Sequence, residues 1–201
     1  FYGFEKIETP ILETAELFSR GIGLSTDIVG KQMFTLRTRG GDYLALRPEG
    51  TAPTVRAFIE NGLFTWPQPI KLYYFGPMFR YDRPQAGRYR QFYQFGAEIF
   101  GEGDPATDAL TILVLWQILS DLKLQDRIVL EINTLGDKNC QVKIKKSLFK
   151  YFEQYRQYLC TDCLQRLALN PLRILDCKEQ KCQTIVASAP QIVDLVCDDC
   201  K

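Results

Sequence analysis

The stretch Phe79–Gly101, FRYDRPQAGRYRQFYQFGAEIFG, decides the fold. Four arginines (Arg80, Arg83, Arg88 and Arg90) fall within its first twelve residues, and the chain then alternates polar or small residues with apolar ones. Alternation of this kind is the mark of a β-strand, whose side chains point to opposite faces in turn. On the return strand Arg90, Phe92, Gln94, Gly96 and Glu98 share one face, while Gln91, Tyr93, Phe95, Ala97 and Ile99 share the other. The second set is mostly apolar and predicts a core face packed on a helix. The first is a poor core and a good floor for a polar ligand. Lys71–Arg80 reads as the outgoing strand, joined to Arg90–Phe100 through a nine-residue loop containing Pro84 and Gly87, so an antiparallel hairpin is expected.

The charge of this hairpin is local. The chain of 201 residues has a net charge of +1, yet residues 80–90 alone carry +3, leaving −2 for the remainder. A concentrated positive loop in a nearly neutral protein points to a bound anion more than to general nucleic-acid affinity. The bland alternative is a solvated sheet face beside an exposed basic loop.

Working outward, Ile7–Leu12 predicts a short strand interrupted at Pro10, and Thr14–Phe18 starts a helix that Gly21 and Gly23 would end. Gln32–Leu36 and Tyr43–Arg47 read as strands joined by the glycine turn RTRGGD. Thr51 is the expected N-cap of a helix running to about Asn61, with Pro53 tolerated in its first turn and Gly62 beyond its end. Asp104 and Pro105 open a long helix to about Leu122, apolar on too many sides for a one-sided stripe and therefore expected to be deeply buried against the sheet. Ile128–Ile132 predicts a further strand. From residue 136 the character changes to a basic helix, KIKKSLFKYFEQYRQYL, and then to a cysteine-rich segment. This divides the chain into a first domain, 1–135, and a second, 136–201.

The longest apolar run, Ala109–Leu119, is too short to span a bilayer, and the N-terminus lacks a basic region followed by a hydrophobic one. A cytoplasmic protein without membrane contact is the expectation. Six of the seven cysteines lie in the last 42 residues. Cys160-x-x-Cys163 and Cys197-x-x-Cys200 are each spaced for a tetrahedral ion, and Cys177 with Cys182 offers another pair. As the chain has no histidine, a four-cysteine structural Zn²⁺ site, Cys160, Cys163, Cys197 and Cys200, is one reading; buried free thiols are the other. Lys143, Lys145, Lys146 and Lys150 read as a solvated helix face.

FRYDRPQAGRYRQF resembles motif 2 of class II aminoacyl-tRNA synthetases. GPMFRYDRPQ, GRYRQFYQFGAE and LALRPEGT together resemble the histidyl-tRNA synthetase family, GFEKIETPILE looks like the end of motif 1, and NPLRILDCK is similar to the family's insertion domain. The resemblance implies an α+β fold: an antiparallel class II sheet flanked by helices, with a mostly helical insertion domain. It implies an aminoacyl-tRNA ligase that activates histidine with ATP to histidyl-adenylate and transfers it to tRNA(His). Arg80 would hold the substrate carboxylate and α-phosphate, Phe92 would stack on adenine, and Arg88 would reach the γ-phosphate, with Mg²⁺ neutralising the rest. Asp82 stands where the class often carries Glu, and Arg83 and Arg90 take no role. Glu49, Gly50, Thr51, Gln94 and Glu98 match histidine-binding positions; alone, Glu49 reads as a carboxylate at a helix start. Pro10 matches the motif 1 proline of a homodimer interface, and the lysine-bearing helix a tRNA acceptor-stem contact.

The chain begins inside motif 1 and stops before motif 3 and the anticodon-binding domain, so by itself it is expected not to aminoacylate. The absence of histidine also excludes the HIGH signature of class I synthetases. Two alternatives stand beside this reading. One is a non-catalytic relative such as the regulatory subunit of ATP phosphoribosyltransferase, against which the retention of both ligand sets argues. The other is a zinc-dependent nucleic-acid-binding module.

Overall fold

The computed structural model describes residues 2–21 and 32–200. Its contacts divide the chain into two compact units, Phe1–Ile128 and Val129–Lys201. The divide thus falls before residue 136, where the change to basic composition had suggested it. The reason is that 129–135 carry no regular structure and make their contacts with the second unit.

The described strands of the first unit form two three-stranded sheets. In one, β1 (Glu5–Lys6) runs parallel to β5 (Ile70–Phe79), and β5 pairs antiparallel with β6 (Gln91–Phe100). In the other, β4 (Tyr43–Leu46) lies between β2 (Leu12–Thr14) and β3 (Thr35–Arg37), all antiparallel. The break between β1 and β2 spans Pro10, which has no N–H to give to a ladder. Gly23, expected to end the first helix, lies outside the described residues.

β5 and β6 pair along their whole length, with Tyr74 opposite Gly96, Gly76 opposite Gln94 and Met78 opposite Phe92. Even positions of both strands therefore share a face. That face holds buried Leu72, Tyr74 and Met78, and helix α2 (Thr51–Glu60) lies against its far end, with Phe58 stacked on Phe100 at 4.3 Å between centroids. Helix α1 (Ala15–Gly21) packs on α2 around Phe18, Ala15, Ala45 and Ala52.

Several expectations are corrected here. The odd face of the hairpin is open rather than core: Phe75, Tyr93 and Phe95 are 58%, 64% and 45% exposed. Helix α3 (Pro105–Asp121), capped by the Asp104 side chain accepting from Ala106 N–H at 2.7 Å, has no buried residue among those described. A cavity of about 830 Å³ is lined by Val114 and Ile118 of the helix and by Tyr73, Phe95 and Ala97 of the sheet. Ile128–Ile132 forms no strand; it is irregular, and Val129 and Ile132 stand exposed. The N-cap of α2 is Gly50, not Thr51, since the capping oxygen comes from Glu49 instead.

In the second unit, Cys140, Ile144, Leu148 and Phe152 are buried at four-residue intervals along α4 (Lys138–Glu153), a single apolar stripe. Cys163 and Leu167 of α5 (Thr161–Leu169), Ile174 in the turn that follows and Cys182 of α6 (Gln180–Val186) join that core, with Leu159, Cys177, Ala189 and Val196. Lys143, Lys145, Lys146 and Lys150 lie on the exposed side of α4, as a solvated face requires.

Candidate active site

The floor of the site is the even face of the hairpin, and the start of α2 forms its wall. Pro48, Glu49 and Gly50 turn the chain from β4 into that helix. Both Glu49 carboxylate oxygens accept from its first backbone N–H groups, Thr51 at 2.6 Å and Ala52 at 3.0 Å. A carboxylate there satisfies two otherwise orphaned donors and meets the positive end of the helix dipole. The Thr51 hydroxyl, freed from capping, donates instead to Glu98 Oε1 at 2.7 Å, which ties α2 to β6.

Tyr74, which sequence reasoning missed, joins this group. Its ring is buried and its hydroxyl stands beside Thr51 and Glu98. It fits because it lies between two glycines. A methyl group on Gly50 would come within 2.8 Å of Tyr74 Cδ2, and one on Gly96 within 2.6 Å of Cε2, with other ring atoms nearer still. Two glycines far apart in sequence, each in the expected site, were the available signal.

Burial pushes the Glu98 carboxyl above the usual carboxylate range, and nearby Glu49 adds to the shift; the bonds from Thr51 and Tyr74 oppose it. Burial also raises the Tyr74 phenol. A half-buried carboxylate beside a second one is a site prepared for a cation. On the same face, the buried Gln94 Oε1 has no hydrogen-bond partner. A buried amide oxygen without a donor is costly, and a ligand N–H would relieve it.

At the other end of the floor, Arg80 Nε donates to the Pro48 carbonyl at 2.9 Å, and its guanidinium lies 5.1 Å from the Phe92 ring centroid. The carbonyl and ring hold the guanidinium over the floor. Beneath, buried Arg47 donates from Nε to Pro77 O at 3.0 Å and from Nη1 to Thr9 O at 2.6 Å, fastening the turn to β5 and to the segment before β2. A methyl at Gly76 would meet Arg47 Nη2 at 2.6 Å, so this position too is open by necessity.

The structure thus unites Glu49, Gly50, Thr51 and Glu98 around Tyr74, and separately Arg80 with Phe92, with Gln94 on the face between. Arg88 is not brought into either group. It pairs with Asp82 at 3.7 Å, where Asp82 also accepts from Gln32 Nε2 at 3.3 Å. Arg90 has a place after all: its guanidinium lies 4.0 Å from the Tyr81 ring centroid and anchors the base of the loop. Arg83 is exposed on the loop, and Pro10 is exposed between β1 and β2. A cavity of about 660 Å³ adjoins Glu49 and Thr51 along α1 and α2, but Arg80, Phe92, Gln94 and Glu98 do not line it. The floor, defined by converging polar groups, is the better candidate.

The expected cysteine quartet is corrected. Cys160 and Cys163 gather with Cys177 and Cys182, all four sulfurs within 4.8 Å of one another, while Cys197 and Cys200 gather with Cys140. The fold of the second unit, not the spacing of the CxxC pairs, sets these partners.

A family model described as histidyl-tRNA synthetase matches residues 1–189. The histidine–tRNA ligase of Desulforamulus reducens is 53% identical over 199 residues, covering 99% of this chain and 47% of that protein. The chain thus spans about half the length of the curated relatives it matches. The crystal structure of apo histidyl-tRNA synthetase from S. aureus superposes with a TM-score of 0.73 at 36% identity, covering 99% of this chain and 43% of that one. A Bacillus halodurans structure named as an ATP phosphoribosyltransferase regulatory subunit/histidyl-tRNA synthetase has a TM-score of 0.53 at 22% identity, covering 96% of this chain and 56% of that one. The latter likeness is one of fold alone.

Proposed function

We propose, from the premise that this chain belongs to the histidyl-tRNA synthetase family, that the hairpin floor binds histidine and ATP for histidyl-adenylate formation by a histidine–tRNA ligase. The observation that carries the proposal is the shared face itself: a cation-seeking carboxylate, an amide with an unpartnered oxygen, an arginine and an aromatic ring stand along one side of one hairpin.

Histidine presents an ammonium, an imidazole with an N–H donor, and a carboxylate. Glu98, backed by Thr51 and Tyr74, takes a cationic group, and the arrival of positive charge favours its ionised form. The Gln94 oxygen accepts a ligand N–H, so amino acids without one would leave it unpaired and be rejected. Glu49 is occupied with the start of α2 and acts by fixing Thr51 and by its charge.

The substrate carboxylate oxygen attacks the α-phosphorus, the bond to the bridging oxygen breaks, and pyrophosphate leaves with the electron pair. No proton need be removed from the nucleophile, because the carboxylate is already ionised at neutral pH. Arg80, held by Pro48 O and Phe92, stabilises the charge that builds on the α-phosphoryl oxygens. Phe92 offers a face for adenine beside it. Mg²⁺ bound with ATP would neutralise the β- and γ-phosphates. Arg88, paired with Asp82 on the loop, would turn toward those phosphates. Transfer to tRNA(His), dimerisation through the Pro10 region and a cytoplasmic location belong to the same proposal. No helix among the described residues is long and apolar enough to cross a membrane.

The test is histidine-dependent ATP–pyrophosphate exchange in a protein that carries this chain at its relatives' length. Arg80→Ala should lower kcat by about 10²- to 10³-fold, as loss of one transition-state donor does. Glu98→Ala should mainly raise KM for histidine. Exchange indifferent to both substitutions, or equally stimulated by other amino acids, refutes the assignment, and absence of exchange in the unaltered protein favours a regulatory relative.

A further inference from the structure

We propose that Cys160, Cys163, Cys177 and Cys182 form a tetrahedral tetrathiolate site for a single structural Zn²⁺ in the second unit, independently of the synthetase chemistry. The ligands come from three places: Cys160 and Cys163 from the start of α5, Cys177 from the segment after the turn at Pro171–Ile174, and Cys182 from α6. The four sulfurs meet in the unit's core.

The spacing matches the ion. Zn–S bonds of about 2.3 Å put the corners of a regular tetrahedron about 3.8 Å apart. Cys160 and Cys177 Sγ are 3.8 Å apart, and no two sulfurs of the quartet exceed 4.8 Å. All four are free thiols, and that separation is far beyond the roughly 2.05 Å of a disulfide. A two-iron cluster would spread its two cysteine pairs farther than one ion does. With thiolates as the whole donor set, the tetrahedral preference of Zn²⁺ is met without strain.

The surroundings also suit thiolates. Cys163 N–H donates to Cys160 Sγ at 3.4 Å, and Cys160 N–H donates to Cys182 Sγ at 3.3 Å. Such backbone donors orient a ligand sulfur and spread its charge. Three of the four cysteines are buried, so water has little access to the bound ion. Binding displaces four thiol protons to solvent and leaves every sulfur unoxidised.

The other group, Cys140, Cys197 and Cys200, supplies three sulfurs. It serves as the internal control. The whole chain, purified under reducing conditions and stripped with a chelator, is reloaded with Zn²⁺ or Co²⁺ alone, and metal is counted by elemental analysis. The expected results are metal uptake and, with Co²⁺, the visible absorption of a tetrahedral thiolate complex. Both should be lost in Cys163→Ser and Cys182→Ser and retained at this site in Cys197→Ser. Cys160→Ser, at the half-buried ligand, tests the site where a buried substitution fails to fold. Chelation should also speed amide exchange in α5 and α6 of the unaltered chain. Failure of the reduced chain to take up either ion overturns the proposal, as does uptake unchanged in Cys163→Ser and Cys182→Ser. Two disulfides within the quartet, found by mass spectrometry of reduced-buffer protein, would overturn it as well.

Discussion

Gly96→Ala puts the wedge between α2 and β6 under direct test. The added methyl would lie 2.6 Å from Tyr74 Cε2 and closer to Cζ and the hydroxyl, where ordinary carbon contacts begin near 3.5 Å. The ring cannot swing away, because Gly50 on its other side leaves no room even for its own methyl. Overpacking a closed site costs about 1 to 3 kcal/mol, and a ring blocked on both sides belongs at the upper end. Alanine's smaller unfolded entropy returns roughly 0.5 kcal/mol, for a net loss of about 2.5 kcal/mol. Both tryptophans, Trp66 and Trp116, lie in the first unit, so their fluorescence follows its unfolding alone. With a urea m-value of about 2 kcal/mol/M the midpoint should fall by about 1.2 M. In a Tyr74→Leu background, which lacks the clashing atoms, the same substitution should cost about 0.5 kcal/mol or less, a coupling of roughly 2 kcal/mol. Equal losses in the two backgrounds would refute the wedge.

Glu98→Gln keeps an acceptor for Thr51 and removes the charge. As the folded pKa of Glu98 is raised, its contribution to stability is intact below the ordinary carboxylate value of about 4.3 and is lost as pH rises through the folded value. The variant should therefore match the parent in acid and gain on it through that window; urea midpoints across a pH series check this, and a constant difference would contradict it. Arg56→Ala strands Glu13, which is only 7% exposed and receives Arg56 Nη2 at 2.8 Å. A loss of about 3 kcal/mol is expected, and Glu13→Leu combined with Arg56→Met should lose less than Arg56→Ala alone.

The hairpin was legible because its information is local. A period of two over ten residues sets which side chains share a face, and a short loop sets the pairing, so Arg80, Phe92, Gln94 and Glu98 could be placed together from spacing alone. Tyr74 could not be placed this way. Its position on the same face follows from the register, but its purpose depends on Gly50, which a turn and a helix start bring over the sheet. Glu49 shows the limit in another form. A carboxylate before a helix suits either a ligand or the helix dipole, and only the two backbone donors at Thr51 and Ala52 decide that it holds the helix. The apolar character of α3 and of the odd hairpin face stated a demand for burial without naming a partner, and the expectation that each covers the other did not hold.

The cysteines carry this reasoning furthest. A CxxC pair at a helix start is a local object, two sulfurs on one turn, and both pairs were visible as such. Which two further sulfurs complete a tetrahedron is a question of long-range topology. Cys177 and Cys182 reach Cys160 and Cys163 because the turn after α5 folds back on that helix and returns the chain to its start, whereas Cys197 lies against Cys140 on α4, its N–H donating to Cys140 Sγ at 3.3 Å. Spacing alone therefore joins the two CxxC pairs, and the fold separates them. It follows that Cys197→Ser and Cys163→Ser, equivalent by motif, should differ in their effect on tetrathiolate absorption, since only one of these sulfurs belongs to the quartet.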